Sequence, residues 1–281
     1  MVAPSVPGDV GDGFPMAPLR CHRELAPDAG AAPQARPGPR QRRARHRELG
    51  RCDTPAMTPQ ERRARFAAVR LYLIAPLRPA GRPLADVARA AIDGGVDALQ
   101  VRDKQAGDEE LVAALRELRP LCDATGALLV LNDRPDLALA GGAHAVHVGQ
   151  DDVPVAEARR IVGDDLLIGL STHSPAQIDA AAAADPAIGP DHIGVGPLHA
   201  TPTKPGVPGV GLELLAHART RPLPFVAIGG IDAANVGDVV AAGAPRVAVV
   251  RAIAEAADPR AAAATLRAAV DRGPAGTAAT A

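Results

Sequence analysis

Aromatic residues are scarce in this sequence: among 281 residues there are one tyrosine, three phenylalanines and no tryptophan. Because almost half of the residues are still hydrophobic, the core must be built from Ala, Val, Leu and Ile. Cysteine is scarce too. Cys21, Cys52 and Cys122 are odd in number and widely spaced, which argues against a disulfide framework and against a zinc site. This pattern fits a reducing cytoplasm.

An excess of charge of either sign is also lacking. The formal net charge of −1 argues against a nucleic-acid or anionic-membrane partner that is recruited by bulk electrostatics. The sequence has no apolar run of about eighteen residues and no apolar stretch of the secretory-signal type. We therefore expect a cytoplasmic protein with small-molecule ligands and with no nucleic-acid or membrane partner. The sequence does not decide between a monomer and a homo-oligomer.

The N-terminal part of the chain, residues 1–65, carries clustered Pro, Gly and Arg without helical or strand periodicity. This composition predicts a disordered leader. A basic segment of this kind can also be a nucleic-acid arm or a transit peptide, although its Pro and Gly content disfavours an amphipathic helix. Another alternative is that Met57 is the true start and that residues 1–56 are an over-extended reading frame. Residues 273–281 are predicted to be a flexible tail.

Between these ends, over residues 66–272, short apolar runs of β type alternate with Ala-rich helical segments. The runs are Leu71–Ala75, Ala98–Arg102, Leu128–Asp133, Ala145–Gly149, Leu167–Ser171, His192–Pro197, Phe225–Gly230 and Val247–Ala252. Eight such strands that alternate with helices predict a single (β/α)₈ TIM barrel with a parallel sheet buried on both faces. A doubly wound open sheet is the alternative, but the segment after the first run lacks the Gly-x-Gly-x-x-Gly of its dinucleotide-binding version.

Polar and Gly residues collect where the predicted strands end, which is the face on which barrel enzymes place their active sites. Lysine is especially informative, because a chain that otherwise uses arginine has only Lys104 and Lys204, and both follow strands. A retained lysine suggests that a compact ammonium charge is needed, for example beside a phosphate. Asn132, one of only two asparagines, also ends a strand.

Carboxylates follow two neighbouring strands, with Asp133 after the third run and Asp151 and Asp152 after the fourth. Magnesium is usually held by one or two carboxylates together with substrate phosphate oxygens, so these residues predict a Mg²⁺ site that binds a diphosphate. From the residues alone, either Asp151 or Asp152 could face the site while its neighbour caps the next helix. Gly229 and Gly230 fit the phosphate-binding position of such barrels.

Other reactive residue types do not form a catalytic constellation. There is no Ser/His/Asp triad and no Cys/His pair, and the cations, carboxylates and glycines instead favour departure of a metal-bound diphosphate. Since His144 and His147 are three residues apart on a strand, they point to opposite faces and are interpreted as structural. His173 and His199 follow strands at the active-site end and could contact substrate, but a packing or solvent role is favoured for each. Cys122 is expected to be a small buried side chain.

Taken together, residues 70–272 resemble the thiamine phosphate synthases, also called thiamine-phosphate pyrophosphorylases. The resemblance rests on motifs that occur in the family's order and at similar spacing. They are Gln100-x-Arg102-x-Lys104, Asn132-Asp133, the stretch from His147 to Asp152, Gly169-Leu-Ser171-Thr-His, Gly194-x-Gly196-Pro, Thr201-x-Thr203-Lys204 and Ala227-Ile-Gly-Gly-Ile231.

The resemblance implies a Mg²⁺-dependent transferase of thiamine biosynthesis. Such an enzyme joins 4-amino-2-methyl-5-(diphosphooxymethyl)pyrimidine to 4-methyl-5-(2-phosphooxyethyl)thiazole and releases thiamine monophosphate and pyrophosphate. In this family, loss of diphosphate is expected to precede attack by the thiazole nitrogen. Little acid–base help is then required.

The resemblance also implies a role for each matching residue. Metal binding falls to Asp133 and Asp152, and catalysis to Ser171 and Lys204. The pyrimidine diphosphate would be bound by Gln100, Val101, Arg102, Asp103, Lys104, Asn132, Ser171 and Lys204. The thiazole phosphate would be bound by Thr201, Pro202, Thr203, Gly230, Val250 and Arg251. At Arg251 the chain departs from the family's common serine, so that the role of this side chain does not carry over.

Two other functions stay open at this stage. One is a thiazole tautomerase, which needs only one phosphate site, and the other is a catalytically silent barrel that binds thiamine intermediates as a regulator. The presence of Asp133, Asp152 and the residues expected to bind the diphosphate argues against both.

Overall fold

A computed structural model of the chain describes residues 58–201 and 208–273. The strands are β1 (Leu71–Ala75), β2 (Ala98–Val101), β3 (Leu128–Asn132), β4 (Ala145–Val148), β5 (Leu167–Thr172), β6 (His192–Val195), β7 (Phe225–Ile228) and β8 (Val247–Val249). The helices are α1 (Pro59–Ala68), α2 (Leu84–Asp93), α3 (Asp108–Thr125), α4 (Pro135–Gly141), α5 (Val155–Val162), α6 (Pro175–Ala182), α7 (Glu213–Arg219), α8 (Val236–Ala241), α9 (Arg251–Ala254) and α10 (Pro259–Asp271). A 3₁₀ turn (Pro79–Gly81) follows β1.

The strands form one closed barrel in sequence order, and every neighbouring pair is parallel. Closure is achieved by β1 and β8, where Leu71 pairs with Val247 and Leu73 with Val249. The predicted (β/α)₈ barrel is therefore confirmed, and the open-sheet alternative is wrong. Each strand begins where its predicted run begins; six strands end one to three residues before the predicted boundary, and β5 extends one residue beyond it, to Thr172.

Side chains alternate between two apolar cores along each strand, as the two-residue period of a β-strand requires. One core fills the barrel and includes Tyr72, Ala98, Val130 and Val226. The larger core lies between the strands and the surrounding helices and is built mainly of Leu, Val, Ala and Ile. Cys122 belongs to this outer core and is fully buried, as predicted, and burial raises the pKa of its thiol to about 12.

Helix α1 packs at the amino-terminal end of the barrel. Phe66 stacks on His192 with ring centroids 4.0 Å apart, and the guanidinium of Arg246 lies 5.3 Å from the Phe66 centroid. Thr58 caps the helix and forms a capping box with Glu61, which satisfies amide groups at the helix start.

This helix corrects the expected leader boundary at residue 65. Residues 58–65 begin α1 instead of being unstructured, because the capping box starts the helix and Phe66 anchors it. Residues 1–57 and 274–281 lie outside the described part of the chain, and so do the predictions made for them. Within the described part, no helix is long and apolar enough to cross a membrane.

Candidate active site

The site residues predicted from sequence lie at the carboxyl-terminal ends of the strands, and the closed parallel barrel brings these ends to one face. Strands β2 and β3 contribute Gln100 and Asn132, and Asp133 directly follows β3. The remaining described positions lie in β2 and β5 and after β2, β4, β6, β7 and β8; they are Val101, Arg102, Asp103, Lys104, Asp152, Ser171, Thr201, Gly230, Val250 and Arg251. Pro202, Thr203 and Lys204 fall outside the described residues.

Two carboxyl groups meet at this face. Asp133 and Asp152 lie within hydrogen-bonding reach of each other, and partial burial together with the charge of Asp152 raises the pKa of Asp133 to about 6. Arg102 and Lys104 act in the opposite direction on this pKa. Asp152 also accepts a hydrogen bond of 3.0 Å from the amide of Gly149, whereas Asp151 is exposed. The fourth strand therefore presents Asp152, rather than Asp151, to Asp133.

The backbone of Asp133 is held in the left-handed region, with φ at +65°. Asp and Asn tolerate this region better than other residues with a side chain. The turn is tied on both sides, because the Asp133 amide donates to the His147 carbonyl at 2.8 Å and the Arg134 amide donates to the Asn132 carbonyl at 2.9 Å. These bonds turn the chain sharply at the end of β3.

This carboxyl pair is compatible with a divalent cation. Two neighbouring carboxylates repel each other, and a cation that binds between them relieves this repulsion. Within residues 58–201 and 208–273 there is no group of three or more His, Cys, Asp and Glu that could hold a metal. Since Mg²⁺ commonly takes one or two carboxylates and completes its shell with water and phosphate oxygens, two carboxylates fit it.

Inside the barrel, Gln100 is almost fully buried, at 2% exposure. Its side-chain amide donates a 2.8 Å hydrogen bond to the hydroxyl of Tyr72, and burial raises the pKa of that hydroxyl above its usual range. Val101, the next residue, faces the outer core and is fully buried. Any contact of Val101 with a ligand at the barrel mouth would therefore involve its backbone.

Ser171 shares the barrel interior with His147, a residue that the sequence predicts to be structural. Nε2 of His147 lies 3.0 Å from the Ser171 hydroxyl. The strand register pairs His147 with Gly169, and a Cβ at Gly169 would lie 2.4 Å from His147 Nδ1 and 2.5 Å from His192 Nε2. Gly169 is thus required for His147 to reach Ser171.

His144 lies on the other face of β4, as the strand period predicted. Its Nδ1 accepts a hydrogen bond of 2.9 Å from the Leu129 amide, and its Nε2 lies 3.0 Å from Asp123. Burial, which is the largest effect, lowers the pKa of His144 to about 4. His144 is therefore a neutral residue of the outer packing and takes no part in the site.

The loop after β2 is shaped by Asp103. One carboxylate oxygen accepts a hydrogen bond of 3.2 Å from the Leu77 amide, and the other accepts from the amides of Gln105 and Ala106 at 3.0 and 3.3 Å. This side chain ties the β2 loop to the β1 loop. Lys104 lies in the same loop and is exposed.

The opposite side of the barrel mouth is formed by the turns after β7 and β8. Gly229 and Gly230 both have positive φ, at +107° and +63°, and a Cβ at Gly230 would lie 2.7 Å from the Cβ of His199. The Asn235 side chain holds the turn by donating to the Gly230 carbonyl at 2.7 Å. Only glycine combines this conformation with so close an approach.

The turn after β8 leads through Val250 into the short helix α9, whose first residue, Arg251, is exposed. Arg82 holds the far end of α9 by donating to the carbonyls of Ala254 and Ala256 at 3.0 and 2.9 Å. A short extra helix after strand 8, next to the turn after strand 7, is the usual phosphate-binding arrangement of these barrels.

The two remaining histidines near this end differ in their surroundings. Nδ1 of His173 hydrogen bonds to the Gly196 carbonyl, and the His173 amide donates to the Gln177 side chain at 2.7 Å, in agreement with the predicted packing role. Nε2 of His199 is buried and has no hydrogen-bond partner among the described residues.

Comparison with known proteins gives a consistent result. The profile of the family described as thiamine monophosphate synthase matches residues 71–253. A thiamine-phosphate synthase of Saccharopolyspora erythraea is 51% identical over 213 residues, which cover 73% of this chain and 94% of the relative. One of Thermobifida fusca is 49% identical over 207 residues, covering 73% of this chain and 94% of the relative. The solved structure of a thiamine phosphate pyrophosphorylase from Pyrococcus furiosus has a TM-score of 0.67 and 32% identity, and the match covers 75% of this chain and 98% of that one.

Proposed function

Since the chain belongs to the thiamine monophosphate synthase family, we propose that the face of its barrel described above is where the two halves of thiamine are joined. The chain is an enzyme of thiamine biosynthesis, a transferase that condenses 4-amino-2-methyl-5-(diphosphooxymethyl)pyrimidine with 4-methyl-5-(2-phosphooxyethyl)thiazole. The products are thiamine monophosphate and pyrophosphate. The observation that carries the choice of site is the paired carboxyl groups of Asp133 and Asp152 beside Arg102 and Lys104.

We propose that the diphosphate is bound on the side formed by β2, β3 and β4. Arg102 and Lys104 would neutralise its oxygens, with Asn132 and Lys204 completing the pocket, and Asp133 and Asp152 would hold Mg²⁺. When bound, Mg²⁺ would supply positive charge to the departing diphosphate. The buried amide of Gln100 lies below these groups in the barrel and would hold the pyrimidine ring.

The other phosphate would bind across the barrel mouth. Its proposed partners are the turn at Gly230, the backbone of Val250 and Arg251, and the segment Thr201–Thr203. Backbone amides at glycine turns and at helix starts bind anions without obstruction by side chains. A site at each side of the mouth would place the thiazole nitrogen opposite the pyrimidine methylene.

Ser171 and His147 lie between these two sides and would contact the reacting centre. The Ser171 hydroxyl is fixed by His147, so it can be held toward the pyrimidine without rotating freely. Positioning of this kind lowers the barrier because the reacting groups are already aligned. No residue here has to remove a proton from carbon.

A synthase fits these features better than a thiazole tautomerase, because a tautomerase needs neither a carboxylate pair nor cations for a diphosphate. We also propose that the enzyme acts in the cytoplasm, in keeping with its sparse cysteines.

The test is a coupling assay with the full-length chain. Thiamine monophosphate, measured by liquid chromatography, should form only when both substrates and Mg²⁺ are present, and omission of either substrate or addition of EDTA should abolish it. If no product formed with both substrates and Mg²⁺ present, the proposed synthase activity would be refuted. Unchanged turnover in EDTA would refute the proposed requirement for Mg²⁺.

A further inference from the structure

Arg134, the residue after Asp133, forms ion pairs with two aspartates, Asp108 and Asp136. It contacts both oxygens of Asp108, with Nη1 donating at 2.6 Å and Nη2 at 3.0 Å. It also contacts both oxygens of Asp136, with Nε donating at 3.1 Å and Nη2 at 2.9 Å. Asp108 begins α3, and Asp136 lies in the first turn of α4 and is 3% exposed. One guanidinium therefore joins the β3 turn to the starts of two helices.

The geometry points to a function for this network beyond holding the helices. Asp133 has a left-handed backbone, and Arg134 is the next residue in the chain. A restraint on the Arg134 side chain therefore acts directly on the turn at Asp133. A bidentate guanidinium–carboxylate pair fixes direction as well as distance. Two such pairs on one guanidinium leave the β3 turn little freedom to relax.

The charge of Arg134 is taken up by its own partners. The guanidinium is shared by the two carboxylates of Asp108 and Asp136. One cation between two anions leaves the network with no positive excess to offer Asp133. The contribution to the site that the contacts of Arg134 show is therefore geometric.

We infer that Arg134 is a positioning residue: by bridging Asp108 and Asp136 it holds Asp133 in the left-handed turn that keeps its carboxylate against Asp152, ready to bind Mg²⁺. This inference rests on the proposed metal site. It distinguishes Arg134 from a residue that only stabilises the fold, because a purely structural residue would not set metal affinity.

The test uses two variants. Arg134→Lys keeps the positive charge but cannot form two bidentate pairs, and Arg134→Gln has neither the charge nor the bidentate pairs. The matched control is Arg267→Lys. Arg267 also bridges two aspartates, Asp97 and Asp271, with 30% of its side chain exposed against 23% for Arg134, but it lies at the other end of the barrel.

The readout is the binding of Mn²⁺, followed by electron paramagnetic resonance in the presence of pyrophosphate, together with the Mg²⁺ concentration that gives half-maximal activity. Removal of an outer-shell partner typically weakens metal binding by about 10–100-fold. We expect a weakening of at least about tenfold in both Arg134 variants. The KM for the thiazole phosphate should stay within about twofold of wild type, and Arg267→Lys should bind Mn²⁺ like wild type.

Three other outcomes would each refute a different part of the argument. Wild-type metal affinity in Arg134→Lys would refute the inference. A loss in Arg134→Gln but not in Arg134→Lys would mean that charge matters rather than geometry. If wild-type protein itself bound no Mn²⁺, the proposed metal site would fail instead.

Should the Arg134 variants not fold, as judged by circular dichroism, Asp108→Asn decides the question. An asparagine has one acceptor oxygen, so it cannot form the bidentate pair with Arg134 at this partly exposed position. We then expect a weakening of metal affinity of several-fold, and unchanged affinity would refute the inference.

Discussion

The hydroxyl of Ser171 lies 3.0 Å from Nε2 of His147, on the neighbouring strand. The residue next to Ser171 faces the other way: Thr172 is fully buried and donates from its hydroxyl to the Gly194 carbonyl at 2.9 Å. Adjacent residues of one strand therefore belong to different parts of the molecule, one to the barrel interior at the site and one to the outer packing.

This arrangement predicts opposite effects for two neighbouring substitutions. Ser171→Ala should lower kcat by about 10–100-fold with little change in stability, because the hydroxyl that His147 positions is lost. Thr172→Val should leave kcat unchanged and lower the free energy of unfolding by about 1–3 kcal/mol, because the Gly194 carbonyl is left buried without its partner. Steady-state kinetics and urea unfolding of both variants check this. A lower kcat in Thr172→Val alone would contradict it.

Gly169→Ala should impair both folding stability and turnover. The added Cβ would lie 2.4 Å from His147 and 2.5 Å from His192, so at least one imidazole must move, at a cost of about 1–3 kcal/mol. Displacement of His147 also removes the support of Ser171 and should lower kcat.

Gly237→Ala is the control for that variant. Gly237 is within α8, and nothing lies within 4 Å of its added Cβ, so we expect a gain of about 0.4–1 kcal/mol in the free energy of unfolding and unchanged kcat. Thermal and urea unfolding of the two variants give the comparison. Equal stability of both would show that the space above Gly169 is not confined.

The Asp133–Asp152 pair predicts a pH dependence of stability in the metal-free protein. The pKa of Asp133 is raised from its ordinary 3.8 to about 6. A carboxyl group whose pKa is raised by folding binds its proton more tightly in the folded state, so its stabilising contribution is present below about pH 4 and is lost as the pH rises through about 6.

The measurement compares wild type with Asp133→Asn, which cannot ionise and whose side chain tolerates the left-handed backbone. In EDTA, the free energy of unfolding of wild type relative to the variant should fall by on the order of 1 kcal/mol between pH 4 and pH 7.5, since partial exposure reduces the full value. Mg²⁺ with pyrophosphate should restore it at pH 7.5. If the difference in free energy of unfolding between wild type and Asp133→Asn did not vary with pH, the raised pKa of Asp133 would be refuted.

Phe66→Ala should destabilise the protein by about 3–5 kcal/mol, because a large buried ring is removed from its stack on His192. In a chain of this size that loss lowers the melting temperature by at least about 6 °C. On the same helix, the exposed side chain of Arg63 pairs with Asp191, which keeps a second partner in Arg159. Arg63→Ala should therefore cost no more than about 1 kcal/mol. Similar melting temperatures for the two variants would mean that α1 is not anchored by Phe66.

The barrel was predictable from sequence because each strand is a short apolar run, and six of the eight are followed directly by a glycine or a polar residue. Helix α1 was not predictable in the same way. Its segment is rich in charged residues and has Phe66 as its single large apolar residue. The helical period of its hydrophobic residues is therefore weak, and the helix is stabilised mainly by docking on the barrel. The capping box formed by Thr58 and Glu61 was the available signal.

Within the site, the sequence predicted which strand ends carry polar groups, but not how neighbouring strands are staggered. The role of His147 depends on that stagger, since its pairing with Gly169 is what brings Ser171 within reach. The strand period could separate His144 from His147 but could not say which of them faces inward. Asp103 was assigned to the ligand by motif alone, and the sequence did not show that its carboxylate is bonded to loop amides.

The pairing of β1 with β8 also bears on how the protein is made. Leu71 has to find Val247, yet during synthesis β1 leaves the ribosome long before β8 exists. Until then, a nascent sheet has two open edges whose backbone groups can pair with other chains. Ring closure therefore has to wait for β8, and the interval before it is when the unpaired strand edges of this chain are most exposed to pairing with other chains.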